Sequence, residues 1–433
     1  MLQDTGADRP ESTPAPSLAE DLPLHRAGAD LAAFLLRRLL SAVIRQGTLQ
    51  VLLPQGKRIE VGSGEPHVRV RILHPATVWR ILRNPDLALG EAYMDGTLAV
   101  ENAGIYDLIT LAMQNVGLGD GAGIMKVHAA LLYLTRRLSQ NNPLRKSRRN
   151  VAHHYDLSHR LYDTFLDPAR QYSCAYFTSP DDTLEVAQQN KMRHIAAKLL
   201  LSPGQTVLDI GCGWGGLARH LATTADVSVT GLTLSVEQRD HAVKAAAAGN
   251  LGDRVSFRLQ DYRQAEGRYD RIVSVGMFEH VGVGYYRQFF RKVASLLADD
   301  GVALIHTIGS VRPPRATSQW MNKYIFPGAY APSLSEIAPA IEAAGLYTDD
   351  IEVLRLHYAQ TLRAWRTRFM AARAQIAALY DERFCRMWEY YLAYCEGAFR
   401  HTGLVVFQIQ ISRRLGTVPQ TRSYIAEREE HHA

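Results

Sequence analysis

The chain is poor in cysteine, with four in 433 residues, at positions 174, 212, 385 and 395. So few and so scattered, they exclude a disulfide framework, and no pair has the spacing of a zinc site. A reducing compartment follows. Long apolar runs are missing as well. No run reaches the ~18 residues that would suggest a membrane-spanning helix, and Arg37 and Arg38 interrupt the best stretch, Leu31 to Ile44. Contact with a membrane would therefore be peripheral. Residues 1–28 have no apolar segment resembling a signal peptide, and their Pro, Ala and acidic groups read as a disordered tail.

What is present is an ordinary globular composition, 47% apolar and 21% charged. The length suggests about two or three domains. Lys+Arg 49 against Asp+Glu 43 gives a net charge of +6, which hints at an anionic partner. Arg136, Arg137, Arg145, Lys146, Arg148 and Arg149 match that excess within one acid-free stretch, Arg136 to Asn150. It reads either as a solvated linker or as a phosphate-binding strip for a lipid surface or nucleic acid.

The pattern divides the chain into a first domain over 29–120, a basic linker over 121–150, a larger domain over 151–420 and a tail over 421–433. In the first domain, helical spacing from Leu31 to Ile44 precedes alternating runs from Thr48 to Leu73, which predict a small β-meander. Helices are expected around Val78 to Leu82 and Ile105 to Val116. After Leu199, strands and helices alternate: TVLDI (Thr206 to Ile210), VSVTGL, RIVSVGMF and VALIHTIG are strand-like runs. Two more strands are expected at Ile351 to Tyr358 and Leu404 to Arg413, separated by a helical region from Thr361 to Phe399. This is the grammar of an α/β, Rossmann-like, mostly parallel sheet whose ligands sit beyond the strand carboxyl ends, beside a smaller N-terminal α+β domain.

Gly211-Cys212-Gly213-Trp214-Gly215-Gly216 satisfies G-x-G-x-x-G directly after a strand. A dinucleotide fold would place an acid about 20 residues on to grip a ribose, but Val229 to Leu232 holds none. The acid stands before the loop instead, as Asp209. This D-x-G-x-G form resembles the first motif of S-adenosylmethionine-dependent methyltransferases.

A series of strings extends the likeness: HHYDLS (His153 to Ser158), YSCAYF (Tyr172 to Phe177), VLDIGCGWGG (Val207 to Gly216), GLTLSVEQ (Gly231 to Gln238), LQDY (Leu259 to Tyr262), DRIVSVGMFEHVG (Asp270 to Gly282), LIHTIGS (Leu304 to Ser310), NKYIFPG (Asn322 to Gly328) and HYAQTLRAW (His357 to Trp365). Together they resemble the cyclopropane-fatty-acyl-phospholipid synthase family, which includes the mycolic acid cyclopropane synthases. The likeness is dense from about residue 150 to 414, and looser at EAYMDG (Glu91 to Gly96) in the first domain.

The resemblance implies a class I methyltransferase fold and methylene transfer from S-adenosylmethionine to a cis double bond of an unsaturated phospholipid acyl chain. It implies a bound bicarbonate as base, held by Glu279, His306, Tyr358 and the backbones of Ile308 and Cys174, with Cys395 a further candidate. For the cofactor it implies Tyr172 and Ser173 at the methionine end. Asp209, Gly211, Gly213, Trp214 and Gly215 form the loop, Thr233 and Gln238 lie near ribose and adenine, and Asp261 and Tyr262 flank the adenine. No metal is expected. It further implies lipid recognition by the first domain, a homodimer, and a cytoplasmic enzyme on the anionic inner face of the cell membrane.

Three alternatives stay in view. The first is a fatty-acyl C-methyltransferase giving methyl- or methylene-branched chains. A nucleic-acid methyltransferase is disfavoured, because Gly276-Met277-Phe278-Glu279 stands where an N-P-P-[YF]-like tetrad would be expected. A non-catalytic lipid carrier would leave the site motifs unexplained.

Overall fold

The computed structural model describes residues 23–118 and 159–431. The basic strip, the HHYDLS string and residues 1–22 of the expected tail lie outside the described residues. Residues 23–28 of that tail instead open the first helix, α1 (Pro23–Val43).

The first domain continues with β1 (Gly47–Leu52), β2 (Arg58–Ser63), β3 (His67–Ile72), α2 (Pro75–Arg83), α3 (Pro85–Met94), β4 (Leu98–Val100) and α4 (Ile105–Leu118). Alternate burial in β2 and β3 follows from Ile59, Val61, Val68, Val70 and Ile72 turning to one face. The sheet is not a meander. Its order is β2-β1-β3-β4, and β3 lies parallel to β1 on the side away from β2. A period of two fixes which face is buried but leaves the neighbour open.

The larger domain runs α5 (His159–Asp163), α6 (Leu184–Lys198), β5 (Thr206–Ile210), α7 (Gly216–Ala225), β6 (Ser228–Thr233), α8 (Val236–Ala248), β7 (Val255–Leu259) and β8 (Tyr269–Val275). It continues with α9 (Tyr286–Leu296), β9 (Leu297–Ser310), α10 (Gln319–Tyr324), α11 (Leu334–Glu342), β10 (Tyr347–Leu354), α12 (His357–Ala371), α13 (Arg373–Leu379), α14 (Glu382–His401), β11 (Leu404–Ser412) and α15 (Ser423–His431). The seven strands are ordered β10-β11-β9-β8-β5-β6-β7, with β11 antiparallel to both neighbours and the remaining pairs parallel. The chain leaves β5 for β6 and β7, then returns to β8 on the other side of β5. The switch point, where such folds bind ligands, thus lies beyond the ends of β5 and β8.

Three expectations about elements need correcting. β10 ends at Leu354, so Tyr358 lies in the first turn of α12. The region expected to be helical throughout is three helices, broken at Ala372 and at Tyr380–Asp381, where the Asp381 side chain caps α14 through Phe384 N at 2.6 Å. The segment expected to be a C-terminal tail carries α15, whose Glu429 reaches His194 on α6.

α3 joins the two sheets. Asp86 accepts hydrogen bonds from Ser318 Oγ at 2.7 Å and Gln319 N at 2.6 Å. Glu91 accepts from Arg80, Lys323 and Tyr324. Gly90 lies flat against Trp320, where an added Cβ would come within 2.4 Å of the indole nitrogen. Trp320, Trp365 and Trp388 are buried in the core common to both parts. No helix among the described residues is long and apolar enough to cross a membrane.

Candidate active site

β5 delivers the glycine loop to the switch point. Gly211 has φ +89° and faces Met277, whose Cβ would be 2.8 Å from a Cβ at 211. Glycine alone meets both conditions. Gly215, at φ +77°, is the N-cap of α7 and is crowded by Phe257 and Ala242.

Tyr172, Ser173, Asp209, Gly211, Gly213, Trp214, Thr233, Gln238, Asp261 and Tyr262 line one cleft, which holds about 1240 Å³ of empty space including its open mouth. Gly215 is behind the wall, against Phe257. Thr233 Oγ1 donates to Gln238 Oε1 at 2.8 Å, and Ser235 Oγ accepts the Gln238 N–H, so that corner is locked. Asp261 is paired side-on with Arg263, Oδ1 to Nε at 2.9 Å and Oδ2 to the guanidinium at 2.8 Å.

The floor of the cleft is electrostatically unusual. Asp209 is buried, its Oδ2 has no partner among the described residues, and burial pushes its pKa up to about 7 despite the Lys191 charge. Lys191, fully buried on α6, is pushed down to about 8 by the same desolvation. Its ammonium donates to Gln171 Oε1 at 2.6 Å and Ser173 Oγ at 2.9 Å. An unpartnered carboxylate, a glycine cradle and braced polar groups fit a ligand with an ammonium and a carboxylate at one end. The amino-acid part of S-adenosylmethionine is such a ligand.

Beside this cleft, Met277 and His280 line the wall while Glu279 between them turns inward. Glu279 Oε1 accepts the Ile308 N–H at 2.6 Å, Oε2 has no partner among the described residues, and burial raises the carboxyl to about 7. His306, on β9 opposite Val275, is lowered to about 3 by burial and bonds Gln408 through Nδ1 at 3.2 Å. A carboxyl with a pKa near neutrality, in the turn that follows β8, and a neutral imidazole within the adjacent strand β9 are thus fixed side by side in the sheet order.

Tyr358 packs its ring on Trp365 and Phe399, at centroid distances of 5.8 and 4.7 Å. One turn on, Thr361 Oγ1 accepts the Ala175 N–H and so ties the segment after Cys174 to α12. Trp365 also touches Tyr172, so these rings connect the two halves of the site. The Cys174 thiol is buried and raised by desolvation, and Cys395 on α14 is pushed up to about 12. Neither is poised as a thiolate.

Residues 142–409 match the family model described as mycolic acid cyclopropane synthetase. The chain belongs to this family. As a member, it is an S-adenosylmethionine-dependent methyltransferase of the cyclopropane synthase group. Residues 35–117 match a domain of unknown function, DUF7884. The cyclopropane-fatty-acyl-phospholipid synthase of Escherichia coli K12 is 40% identical over 355 residues, 81% of this chain and 89% of the relative. The tuberculostearic acid methyltransferase UfaA1 of Mycobacterium tuberculosis is 36% identical over 408 residues, 90% and 93% of the two chains. Among solved structures, mycolic acid cyclopropane synthase CmaA1, complexed with SAH and CTAB, superposes with a TM-score of 0.59 at 35% identity, over 63% of this chain and 99% of that one.

Sequence reasoning missed several residues of this family member's site. Gln171 and Arg263 line the cleft, and Lys191 braces it from behind. Arg263 follows the LQDY string directly and could have been noticed there. Lys191 gave no signal, because a lysine within QQNKMRH on a helix reads as solvated.

Proposed function

We propose that the protein transfers a methylene group from S-adenosylmethionine to the cis double bond of unsaturated acyl chains in membrane phospholipids. The observation that carries this reading is the join between two environments. A cleft whose polar floor suits the cofactor's amino-acid end shares its wall, at Met277 and His280, with a buried Glu279–Ile308–His306 cluster.

S-adenosylmethionine, when bound, supplies an electrophilic methyl. With that methyl passed to the alkene's π electrons and its bond to sulfur broken, S-adenosylhomocysteine would leave, a cationic centre would develop on the chain, and loss of a proton from the transferred methyl would close the ring. A bicarbonate ion bound beside it would supply the proton acceptor. Tyr172, Ser173 and the Gly211–Gly215 loop orient the cofactor, Thr233 and Gln238 hold its ribose side, and Asp261 and Tyr262 flank its adenine. Glu279, with its pKa raised to about 7, would share a proton with that anion rather than repel it, and His306, Tyr358 and the Ile308 and Cys174 backbones would complete its pocket. Burial of the cluster keeps out water that would capture the cation.

A membrane surface as substrate source is supported by α1, where Leu31, Phe34 and Leu35 are exposed beside Arg37 and Arg38, as in helices that lie in the interface. The enzyme then works as a peripheral protein of the inner membrane face, and as a homodimer.

A second reading, transfer giving methyl- or methylene-branched chains, is favoured by the extent of the likeness to the tuberculostearic acid methyltransferase. Both readings share every step up to the cation. Labelled S-adenosylmethionine incubated with monounsaturated phospholipid vesicles, followed by chromatographic and mass-spectrometric analysis of the acyl chains, tests them. Label in a cyclopropane ring is the expected result. Label in a branch selects the second reading, and lipids without label overturn both.

A further inference from the structure

A row of polar side chains runs across three strands behind the reaction cluster. Glu352 on β10 is opposite Gln408 on β11, and Gln408 is opposite His306 on β9. Residues directly opposite one another project from the same face of a sheet. Helix α6 brings Lys198 to this row. Its ammonium donates to Gln408 Oε1 at 2.9 Å and also to Glu352 Oε2. One turn earlier, His194 bonds Glu352 through Nε2 at 2.7 Å and Glu429 of α15 through Nδ1 at 2.5 Å. Lys198, Gln408 and His306 are all buried.

The donor inventory orients the whole row. An ammonium has protons to give and no lone pair to accept with. The face of Gln408 turned to Lys198 must therefore be its carbonyl oxygen, and the face turned to His306 must be its NH2 group. That NH2 meets Nδ1 at 3.2 Å, so Nδ1 carries the lone pair. Burial lowers the Lys198 pKa, and the Glu352 carboxylate, itself held at about 2 by His194 and Lys198, opposes that shift and favours the ammonium. The imidazole is neutral, since burial and the nearby Lys191, Lys198 and His194 all oppose its protonation. Its single proton is left on Nε2, an atom with no hydrogen-bond partner among the described residues.

We propose that Lys198 and Gln408 are positioning residues that hold His306 as the Nε2–H tautomer, so that the imidazole gives the reacting centre an N–H donor and never a basic lone pair. The inference rests on the reading of His306 as part of the methyl-transfer site. It divides the labour there. His306 grips an oxygen of the anion or carboxyl that takes the proton, and taking that proton itself would create an imidazolium beside Lys198. Carried further, the row ends at Glu429, so α15 anchors the outer end of a chain of contacts that starts at the site.

The test uses the full-length enzyme with 15N-labelled histidine. The ring signals of His306, assigned by their loss in His306→Gln, are expected to show an unprotonated Nδ1 and a protonated Nε2. Gln408→Glu keeps a partner for Lys198 but turns an oxygen toward Nδ1, which draws the proton there. Its kcat on unsaturated vesicles is expected to fall about 100-fold, as a wrong tautomer removes the hydrogen bond the site is built to give. The KM for S-adenosylmethionine and the melting temperature stay close to wild type. Lys198→Met, which frees the Gln408 amide to flip, is expected to show both tautomers. A wild-type ring protonated on Nδ1, or wild-type kcat in Gln408→Glu, overturns the proposal. An Nε2–H ring in an enzyme that modifies no lipid overturns the functional reading and leaves the tautomer assignment standing.

Discussion

Glu279 accepts the Ile308 N–H at 2.6 Å with one carboxyl oxygen, while the other has no partner among the described residues. A buried group so placed favours its proton, and its pKa rises from 4.5 to about 7. The folded state therefore binds more protons than the unfolded state between these two values, and stability falls as pH rises through that window. The loss amounts to about 3 kcal/mol and is complete above pH ~7. Glu279→Gln is expected to match wild-type stability near pH 4.5 and exceed it at pH 8, while lipid methylation is lost. Denaturant titrations at the two pH values check this; a constant difference between the proteins would contradict the assignment.

The glycine loop separates backbone strain from crowding. Gly213→Ala meets no atom of the described residues within 4 Å but sits at φ +54°, whereas Gly215→Ala at φ +77° also drives a methyl into Phe257 and Ala242. The first is expected to cost about 1 kcal/mol and the second about 2–4 kcal/mol, strain and overpacking together. Chemical denaturation of both variants, with calorimetric titration of S-adenosylhomocysteine, measures the order.

Glu91 locks the first domain onto α10. Burial alone would raise it, but hydrogen bonds from Lys323, Arg80 and Tyr324 hold it at about 2. Its contribution is present above pH ~4.5 and disappears as pH falls toward 2. Because Lys323 is half exposed, Glu91→Gln is expected to cost only about 1–2 kcal/mol at pH 7. The deficit should shrink steadily in melts taken from pH 5 down to pH 3.

Cys395 is held as a thiol by burial, at about 12. Cys395→Ser is therefore expected to change kcat by less than about threefold. Initial rates on vesicles decide the point, and a loss of activity at unchanged melting temperature would restore a chemical role for this thiol.

How much of the molecule was legible varied with the range of the interaction involved. β5, β6, β8 and β9 were readable because strands buried on both faces are continuous apolar runs. β7 was missed, since VSFRL at the sheet edge is largely exposed and carries no such run. The neighbour of β3 and the first turn of α12 depended on what each segment met in space. At the site, the residues named from strings came together wherever the string was itself one loop, as from Asp209 to Trp214. The brace behind them, Lys191 and Lys198 on α6, looked like ordinary surface charge.

The sequence by itself determined the strands β5, β6, β8 and β9, the glycine turn and the identity of the family, because each is written in local spacing or in consecutive motif residues. Only the tertiary structure decided that Glu352, Gln408 and His306 stand in one row under Lys198. That row unites residues separated by up to 210 positions, and strand order and register alone place them opposite one another. Burial then turned ordinary carboxylates, amines and an imidazole into groups with altered protonation, an effect of lost water that no string of letters records.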